Sequence, residues 1–330
     1  MPANLTPDYL AAEARFRAAE TNEEKLVALD EMYATIPKHK GTEKLRADIK
    51  RRISKLRDKE KQESKKGKRF DEYAIVKEGA GQIALIGPPN TGKSSIIKRL
   101  TSAEAEVAEY PFTTRTPLPG MMEYEDILIQ LLDTPPLSRE HIERGIISLV
   151  RNADAVALVL DCSDDALLDE IEEIQDILSN SRTLLVGNYS VERDYPAGVV
   201  AKPTFIAANK IDSPNASANL DVLREYYSNE FVIQGISTET GEGLEELRSA
   251  MFRSLGIIRV YTKVPGKPAD MDKPFILKKG STLIDFAAVV HKDFVHRLRF
   301  ARAWGKNILD GAQIGKDHVL EDSYVIELHG

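Results

Sequence analysis

Between an apolar run from Gln82 to Ile86 and a helix-patterned stretch from Ser94 to Leu100 stands Gly87-Pro88-Pro89-Asn90-Thr91-Gly92-Lys93-Ser94, with Ser95 directly behind it. These residue types at GxxxxGKS spacing, in a strand-to-helix turn, are built to bind a polyphosphate. Glycines let backbone N–H groups wrap the β-phosphate, and the helix start adds a favourable dipole. Lys93 reaches the β/γ oxygens, and the Ser94 hydroxyl is offered to Mg²⁺.

A phosphate loop does not choose a base. Asn209-Lys210-Ile211-Asp212 closes another strand-like run, PTFIAANK, and supplies the choice. The Asp212 carboxylate can accept from guanine N1–H and the exocyclic amine, neither of which adenine offers in that place. A carboxylate left unpaired under the wrong base is costly, so adenine is rejected. Asn209 is expected to tie the base loop to the phosphate loop, and the Lys210 stem to lie over the ring. In ISTETGEGL, Ser237 and Thr238 end the next strand, where a backbone N–H can meet guanine O6. Each motif is short; their order, each at the carboxyl end of a strand, gives them weight.

Two further positions belong to the γ-phosphate. Asp133 closes DILIQLLD and is placed to hold Mg²⁺ through a water. Thr114, in EYPFTTRTP, lies twenty residues beyond Ser94 in a loop that would close on the metal. Thr113 and Thr114 also read as ordinary polar loop residues. A threonine that lets go when the γ-phosphate leaves is, however, the physical basis of an order-to-disorder switch. Lys93, Thr114 and Asp133 are the catalytic candidates.

Such a site needs strands that end at one edge. From Gly81 onward the runs QIALIG, DILIQLLD, AVALVLD, PTFIAANK and EFVIQGIS alternate with helical segments such as Ser94 to Leu100 and Ala166 to Leu178. That alternation predicts a parallel sheet covered on both faces. After Leu255-Gly256 the pattern turns to short strands around one helix, which predicts a small α+β domain. The first seventy residues read as helices. Thr6-Pro7 is a helix start, and Thr21 with Glu24 makes a capping box before Leu26, Leu29, Tyr33 and Ile36. A further helix from about Thr42 carries Leu45, Ile49, Ile53 and Leu56 as a narrow stripe, which predicts a helical hairpin. Lys59 to Lys68 reads as a frayed helix end or linker.

The 330 residues carry a formal net charge of −7. Residues 38–69 hold fifteen Lys/Arg against five Asp/Glu, a local +10 that leaves −17 for everything else. The basic run reads either as a solvated helix face or as a contact with RNA or the ribosome. Its length within an acidic chain favours the contact. A single cysteine, Cys162, allows no intrachain disulfide and suits a reducing compartment. No secretory signal or membrane-length apolar run is seen, so a cytoplasmic protein is expected.

GPPNTGKSS, EYPFTTRTPLPG, NKID and the C-terminal IRVYTKVPG with HVLED together resemble the Obg/DRG group of GTPases, and within it the DRG-like proteins that end in a TGS domain. The resemblance covers about 71–330, and the basic helical N-terminus is similar to the DRG arrangement. It implies a ribosome-associated GTPase with low intrinsic turnover, and a TGS domain of ubiquitin-like β-grasp fold that contacts RNA or protein. The phosphate loop, Thr114, Asp133, Asn209, Asp212 and Ser237 match the family's motifs. Asn90 matches the asparagine that in related GTPases helps coordinate K⁺, although an Asn here can also simply stabilise the turn. Leu137 stands where Ras-like proteins keep a water-positioning Gln, which predicts slow hydrolysis. The family's DxxG reads Asp133-Thr134-Pro135-Pro136, and Pro136 has no N–H for the γ-phosphate. Tyr261-Thr262-Lys263, Lys279-Gly280-Ser281-Thr282, His291 and Trp304-Gly305 stand where TGS sequences carry similar residues. Trp304 is expected in the core and His291 in a structural role.

The expected architecture is an α/β chain of three parts: a basic helical hairpin or arm (1–70), a Ras-like P-loop G domain (71–256) and a β-grasp TGS domain (257–330). The expected function is a Mg²⁺-dependent GTP switch on the ribosome or RNA, with K⁺ assistance and a protein partner for the TGS domain left open. The rival is a hydrolysis-poor GTP-sensing scaffold; an ATP-hydrolysing relative is disfavoured by Asn209 to Asp212.

Overall fold

The computed structural model describes residues 7–18, 22–36, 42, 46–53, 75–101, 119–139, 142–187 and 195–330. The chain divides into two compact units, Met1–Asp71 and Glu72–Gly330.

The first unit holds α1 (Pro7–Ala18), α2 (Asn22–Thr35) and a helical segment α3 over 46–53. Leu29, Met32 and Ile36 recur at helical spacing and bury against Ile49 and Ile53, as expected of amphipathic helices. Tyr9 and Ala12 of α1 join the same core. The small core therefore gathers α1, α2 and α3, α1 joining through an apolar pair at i, i+3. Arg15 of α1 pairs with Glu31 of α2 at 3.0 Å, and the Arg46 guanidinium lies 5.0 Å over the Tyr33 ring. Thr6, Thr21, Leu45, Leu56 and the 59–68 run lie outside the described residues, as do the side chains of Glu24 and Leu26.

The second unit is built on two sheets. In the larger, the order is β2 (Pro119–Tyr124), β3 (Ile127–Asp133), β1 (Gln82–Ile86), β4 (Ala155–Asp161), β6 (Val200–Asn209) and β5 (Thr183–Val186). A short β7 (Ile233–Gly235) also pairs β6. Every pairing is parallel except the β2–β3 hairpin. β6 is long enough to pair β5 along Val200 to Pro203 and β7 along Ile206 to Ala208.

Alternation along the strands sorts the core into two layers, since successive side chains point to opposite faces. Ala84, Ile86, Val156, Leu158 and Leu160 face α5 (Arg144–Asn152), α6 (Leu167–Asn180) and α7 (Ala216–Tyr227) through Ile146, Val150, Ile171, Ile174 and Leu223. Ile83, Leu85, Ala157, Val159 and Phe205 face α4 (Lys93–Leu100) and α8 (Leu244–Ser254) through Ile96, Leu247 and Met251. The continuous burial of β1 explains why its sequence is apolar without alternation.

The smaller sheet runs β11 (Ala312–Ile314), β10 (Phe300–Trp304), β12 (Tyr324–His329), β8 (Ile257–Lys263) and β9 (Ala269–Lys278). Its β12–β8 pair is parallel and its other pairs are antiparallel, the β-grasp arrangement. Helix α9 (Leu283–Val290) packs Leu283, Phe286 and Ala287 onto one face, and a capping box between Thr282 and Asp285 starts it. One helix was expected here and a second, α10 (Lys292–Arg297), follows at once. The extended backbone of His291 breaks the run, and its Nδ1 accepts from the Asp293 N–H at 3.1 Å. Trp304 is not in the core: it stands half-buried on the opposite face, with the Lys263 ammonium 4.8 Å over its ring. Its neighbours Ala301 and Ala303 fill the inward positions of β10, and period-two alternation sends Trp304 outward. No helix among the described residues is long and apolar enough to cross a membrane.

Candidate functional site

The carboxyl ends of β1, β3, β4, β6 and β7 meet along one edge of the larger sheet, and the sequence-predicted residues gather there. Residues 87–92 turn from β1 into α4 under tight restraint. A Cβ on Gly87 would lie 2.2 Å from the Val159 carbonyl oxygen, so the loop can press against β4 only without a side chain. Gly92 has φ 95°, and a Cβ there would lie 2.2 Å from Asn209 Nδ2. Asn90, exposed at the rim, takes a left-handed φ of 62°. Thr91 Oγ1 donates to the Pro88 carbonyl at 3.2 Å, while Pro89 is exposed.

Lys93 is buried and donates from Nζ to the Gly87 carbonyl at 3.0 Å and the Pro88 carbonyl at 2.6 Å. Burial brings its pKa down to about 8, against the upward pull of Asp133 and Glu170. Ser94 and Ser95 are exposed on the first turn of α4, whose leading amides have no intrahelical acceptor. Ser94 Oγ donates to Asp133 Oδ2 at 2.5 Å. Parallel register sets Asp133, the last residue of β3, beside Leu85, one residue short of the end of β1.

The stretch after Asp133 is fastened down. Thr134 Oγ1 donates to the Leu85 carbonyl at 2.6 Å, and the Leu137 N–H donates to the Gly87 carbonyl at 3.1 Å. The Leu137 side chain is buried in the layer with Ile146 and Ile171. Pro136 is exposed between them. Thr114 lies outside the described residues.

At the base end, Asn209 is fully buried; its Nδ2 donates to the Thr91 carbonyl at 2.9 Å and its Oδ1 accepts from the Thr238 N–H at 3.2 Å. One side chain thus joins the phosphate loop, β6 and the loop after β7. Lys210 has φ 64° and its ammonium pairs with the Asp161 carboxylate at the end of β4. Burial would raise the Asp161 pKa, but the Lys210 and Ser163 hydrogen bonds outweigh it and hold it low. Asp212 is exposed on the turn that follows. The Ser237 N–H donates to the Glu242 carbonyl at 3.0 Å and Ser237 Oγ accepts from the Thr240 N–H at 3.0 Å. Ser237 therefore shapes its loop through internal hydrogen bonds, while the Thr238 N–H is spent on Asn209.

Sequence reasoning missed two residues of this edge. Arg99, on α4, donates from Nε to the Thr238 carbonyl at 2.8 Å and from Nη2 to the Glu239 carbonyl at 2.6 Å. Asp161 anchors Lys210, and its place at a strand end level with Asn209 was the available signal. Chemically, the edge offers a loop of amides and a buried lysine for a polyphosphate, and beside them a hydroxyl and a carboxylate. Two hard oxygens in contact fit Mg²⁺, which takes oxygen ligands octahedrally and keeps several waters and phosphate oxygens in its shell.

Residues 82–189 match the family model described as 50S ribosome-binding GTPase, and residues 258–329 match the TGS domain model. An uncharacterized GTP-binding protein of Halobacterium salinarum is 31% identical, over 93% of this chain and 98% of its own length. Developmentally-regulated G-protein 1 of Arabidopsis thaliana is 28% identical over 92% of this chain and 90% of its own length. Among solved structures, the Schizosaccharomyces pombe YchF GTPase superposes with a TM-score of 0.50, covering 77% of this chain and 99% of that one. At 14% identity that likeness bears on the fold alone.

Proposed function

The chain belongs to the DRG/Obg-like family of GTP-binding proteins that carry a TGS domain, and on that premise we propose that it is a slow, Mg²⁺-dependent GTPase that switches its hold on the ribosome or RNA. The observation that carries the reading is the 2.5 Å contact between Ser94 Oγ and Asp133 Oδ2, made where β1 and β3 end side by side. In this reading Lys93 leaves its loop carbonyls for the β/γ-phosphate oxygens, and residues 87–92 supply their amides to the β-phosphate. Asp212 reads guanine, and Asn209 holds the base and phosphate loops at fixed separation. Ser94, Thr114 and, through a water, Asp133 are the residues that would hold Mg²⁺, which when bound would supply charge neutralisation at the β/γ oxygens. Asn90, exposed at the loop rim, is the candidate K⁺ contact.

Slow turnover follows from what Leu137 does. Its side chain is committed to the core and its N–H to Gly87, so neither orients the attacking water. Exposed Lys50, Arg51 and Arg52 on α3 fit a phosphate backbone, and the likeness of residues 82–189 to the 50S ribosome-binding GTPases supports the same partner. One observation favours the second reading, a GTP-sensing scaffold without turnover: Pro136 has no N–H to give where a γ-phosphate contact is expected.

Phosphate release from GTP by the purified protein with Mg²⁺ decides between them, compared in K⁺ and Na⁺ and with and without ribosomes. Release that K⁺ or ribosomes stimulate supports the switch. Guanine-nucleotide binding with no release in any arm leaves the scaffold, and absence of binding overturns both.

A further inference from the structure

Where the two sheets of the second unit meet, one guanidinium is saturated. Arg259 of β8 is 5% exposed in its side chain and spends all five N–H donors on four residues. Nε and Nη2 grip the two oxygens of Asp322, at 3.2 and 2.8 Å, and Nη2 also reaches Ser323 Oγ at 3.3 Å. Nη1 pairs with Glu125 and, at 2.8 Å, with Asp126 Oδ1. Asp322 and Ser323 lie beside β8 in the C-terminal domain; Glu125 and Asp126 are the turn of the β2–β3 hairpin in the nucleotide-binding domain. Tyr261, two residues along β8, donates its hydroxyl to the second oxygen of Asp126 at 2.5 Å. Beneath the guanidinium, Tyr124 and Phe252 stack with ring centres 4.9 Å apart, and Arg259 lies 5.1 Å over the Phe252 ring.

Tyr124 pairs with Ile127, so Glu125 and Asp126 form a two-residue hairpin turn. Glu125 has φ 52°, the left-handed conformation such a turn asks of its first central residue. The clamp grips both turn residues. From this turn, β3 runs seven residues to Asp133, about 20 Å along the strand. Pro119, at the other end of β2, pairs with Leu132, next to Asp133. The hairpin is thus a short lever with the clamp at one end and Asp133 at the other.

We propose that Arg259 is a positioning residue for the nucleotide reaction: it fixes the Glu125–Asp126 turn, and through β3 it sets Asp133. The inference rests on the reading of Asp133 as a metal-side residue. Because coupling is reciprocal, the nucleotide state biases the C-terminal domain's grip on the turn by the same factor.

The test is the dissociation rate of fluorescent GDP and GTP analogues from full-length protein, with Mg²⁺ and with EDTA. Arg259→Gln removes the clamp from one side. Asp126→Asn weakens it from the turn, keeps the side chain's size and sits at a position a quarter exposed. Both variants are expected to release Mg²⁺-bound nucleotide about fivefold faster and to leave the EDTA rate unchanged, because the lever acts through Asp133. The double variant is expected to be no faster than Arg259→Gln alone, since both remove one contact. A purely structural clamp lowers thermal stability and leaves the ratio of Mg²⁺ to EDTA rates as in the wild type. That result in folded Asp126→Asn overturns the proposal. A wild-type protein whose nucleotide release ignores Mg²⁺ overturns instead the metal-side reading on which it stands.

Discussion

The Leu137 N–H donates to the Gly87 carbonyl at 3.1 Å, so the segment after Asp133 is fastened to the phosphate loop by the residue that follows two prolines. The bond holds the chain near the γ-phosphate position while Pro136, the residue nearest to the expected contact, has nothing to donate. Replacing Pro136→Gly returns an N–H there. Phosphate release is expected to rise by about a hundredfold, the lower end of what one well-placed donor contributes. Thermal stability should fall slightly, by about 1 kcal/mol, because glycine loosens the unfolded chain. A rate equal to wild type, measured with saturating GTP, would show that the Leu137 tether keeps the restored donor out of reach.

Asp212 is exposed on its turn, so Asp212→Asn should leave folding intact. GTP affinity is expected to fall by about a hundredfold or more, because the amide cannot accept both guanine donors. Xanthine carries a carbonyl where guanine has its amine, and the new amide can donate to it. Recovery of binding with xanthosine triphosphate, followed by competition titration, checks the base assignment without reference to turnover.

Arg99 reaches across from α4 to two carbonyls of the loop after β7. Arg99→Met keeps the stem and removes both hydrogen bonds. GDP and GTP should weaken together, by about tenfold, as expected for two charge-assisted bonds at a partly exposed position. Equal loss for both nucleotides distinguishes a base-side support from a γ-phosphate contact. A change confined to GTP would place Arg99 in a different role.

Glu170 carries the pH dependence. Its Oε2 is buried without a hydrogen-bond partner among the described residues. Burial first, then Asp164, Asp161 and Glu173, push its carboxyl up to about 6. A carboxyl raised in the folded state holds its proton there more tightly than in the unfolded chain. Folding stability therefore declines as pH rises from about 4.5 to 6 and stays lower above. Glu170→Gln should be as stable as wild type at about pH 4 or below and more stable at about pH 8, by about 1 kcal/mol after solvent screening. Melting temperatures at the two pH values measure the gap; a gap that does not widen with pH removes Glu170 from the account.

Lys50, Arg51 and Arg52 are exposed on α3, with Arg52 paired to Asp48 at 2.9 Å. Neutralising all three should weaken RNA or ribosome association and flatten its salt dependence. For single-stranded contacts the slope of log affinity against log salt should drop by about 2. Unchanged affinity and slope would make the run a solvated helix face.

Much of the nucleotide edge was legible because its chemistry is local. Gly87 to Ser95 is one contiguous segment, and Asn209 to Asp212 another; continuous apolar runs announced β1, β4 and β6. β2 and β5 were not anticipated. β2 opens with Pro119-Gly120, residues that read as a turn, and β5 is four residues long, too short for a periodic signal. Trp304 was assigned to the core on size, yet position within β10 decides its side of the sheet. Arg259, Arg99 and Asp161 act on partners more than a hundred residues away or on a neighbouring strand, and no local spacing records such contacts.

The chain enters the larger sheet at one well-fastened place. Lys77 pairs with Asp154, whose other oxygen accepts from the Gln82 N–H at 2.9 Å. Gln82 Nε2 donates to Gln130 at 2.7 Å, and Gln130 Nε2 donates to the Val76 carbonyl at 3.2 Å. These bonds brace the start of β1, the strand whose far end opens into the phosphate loop. A pull on the chain ahead of residue 75 would load β1 lengthwise between β3 and β4. Ladder bonds on both sides would then have to shear together rather than peel in turn. Tension arriving by that route would meet these root bonds first, before it reached the phosphate loop at the strand's far end.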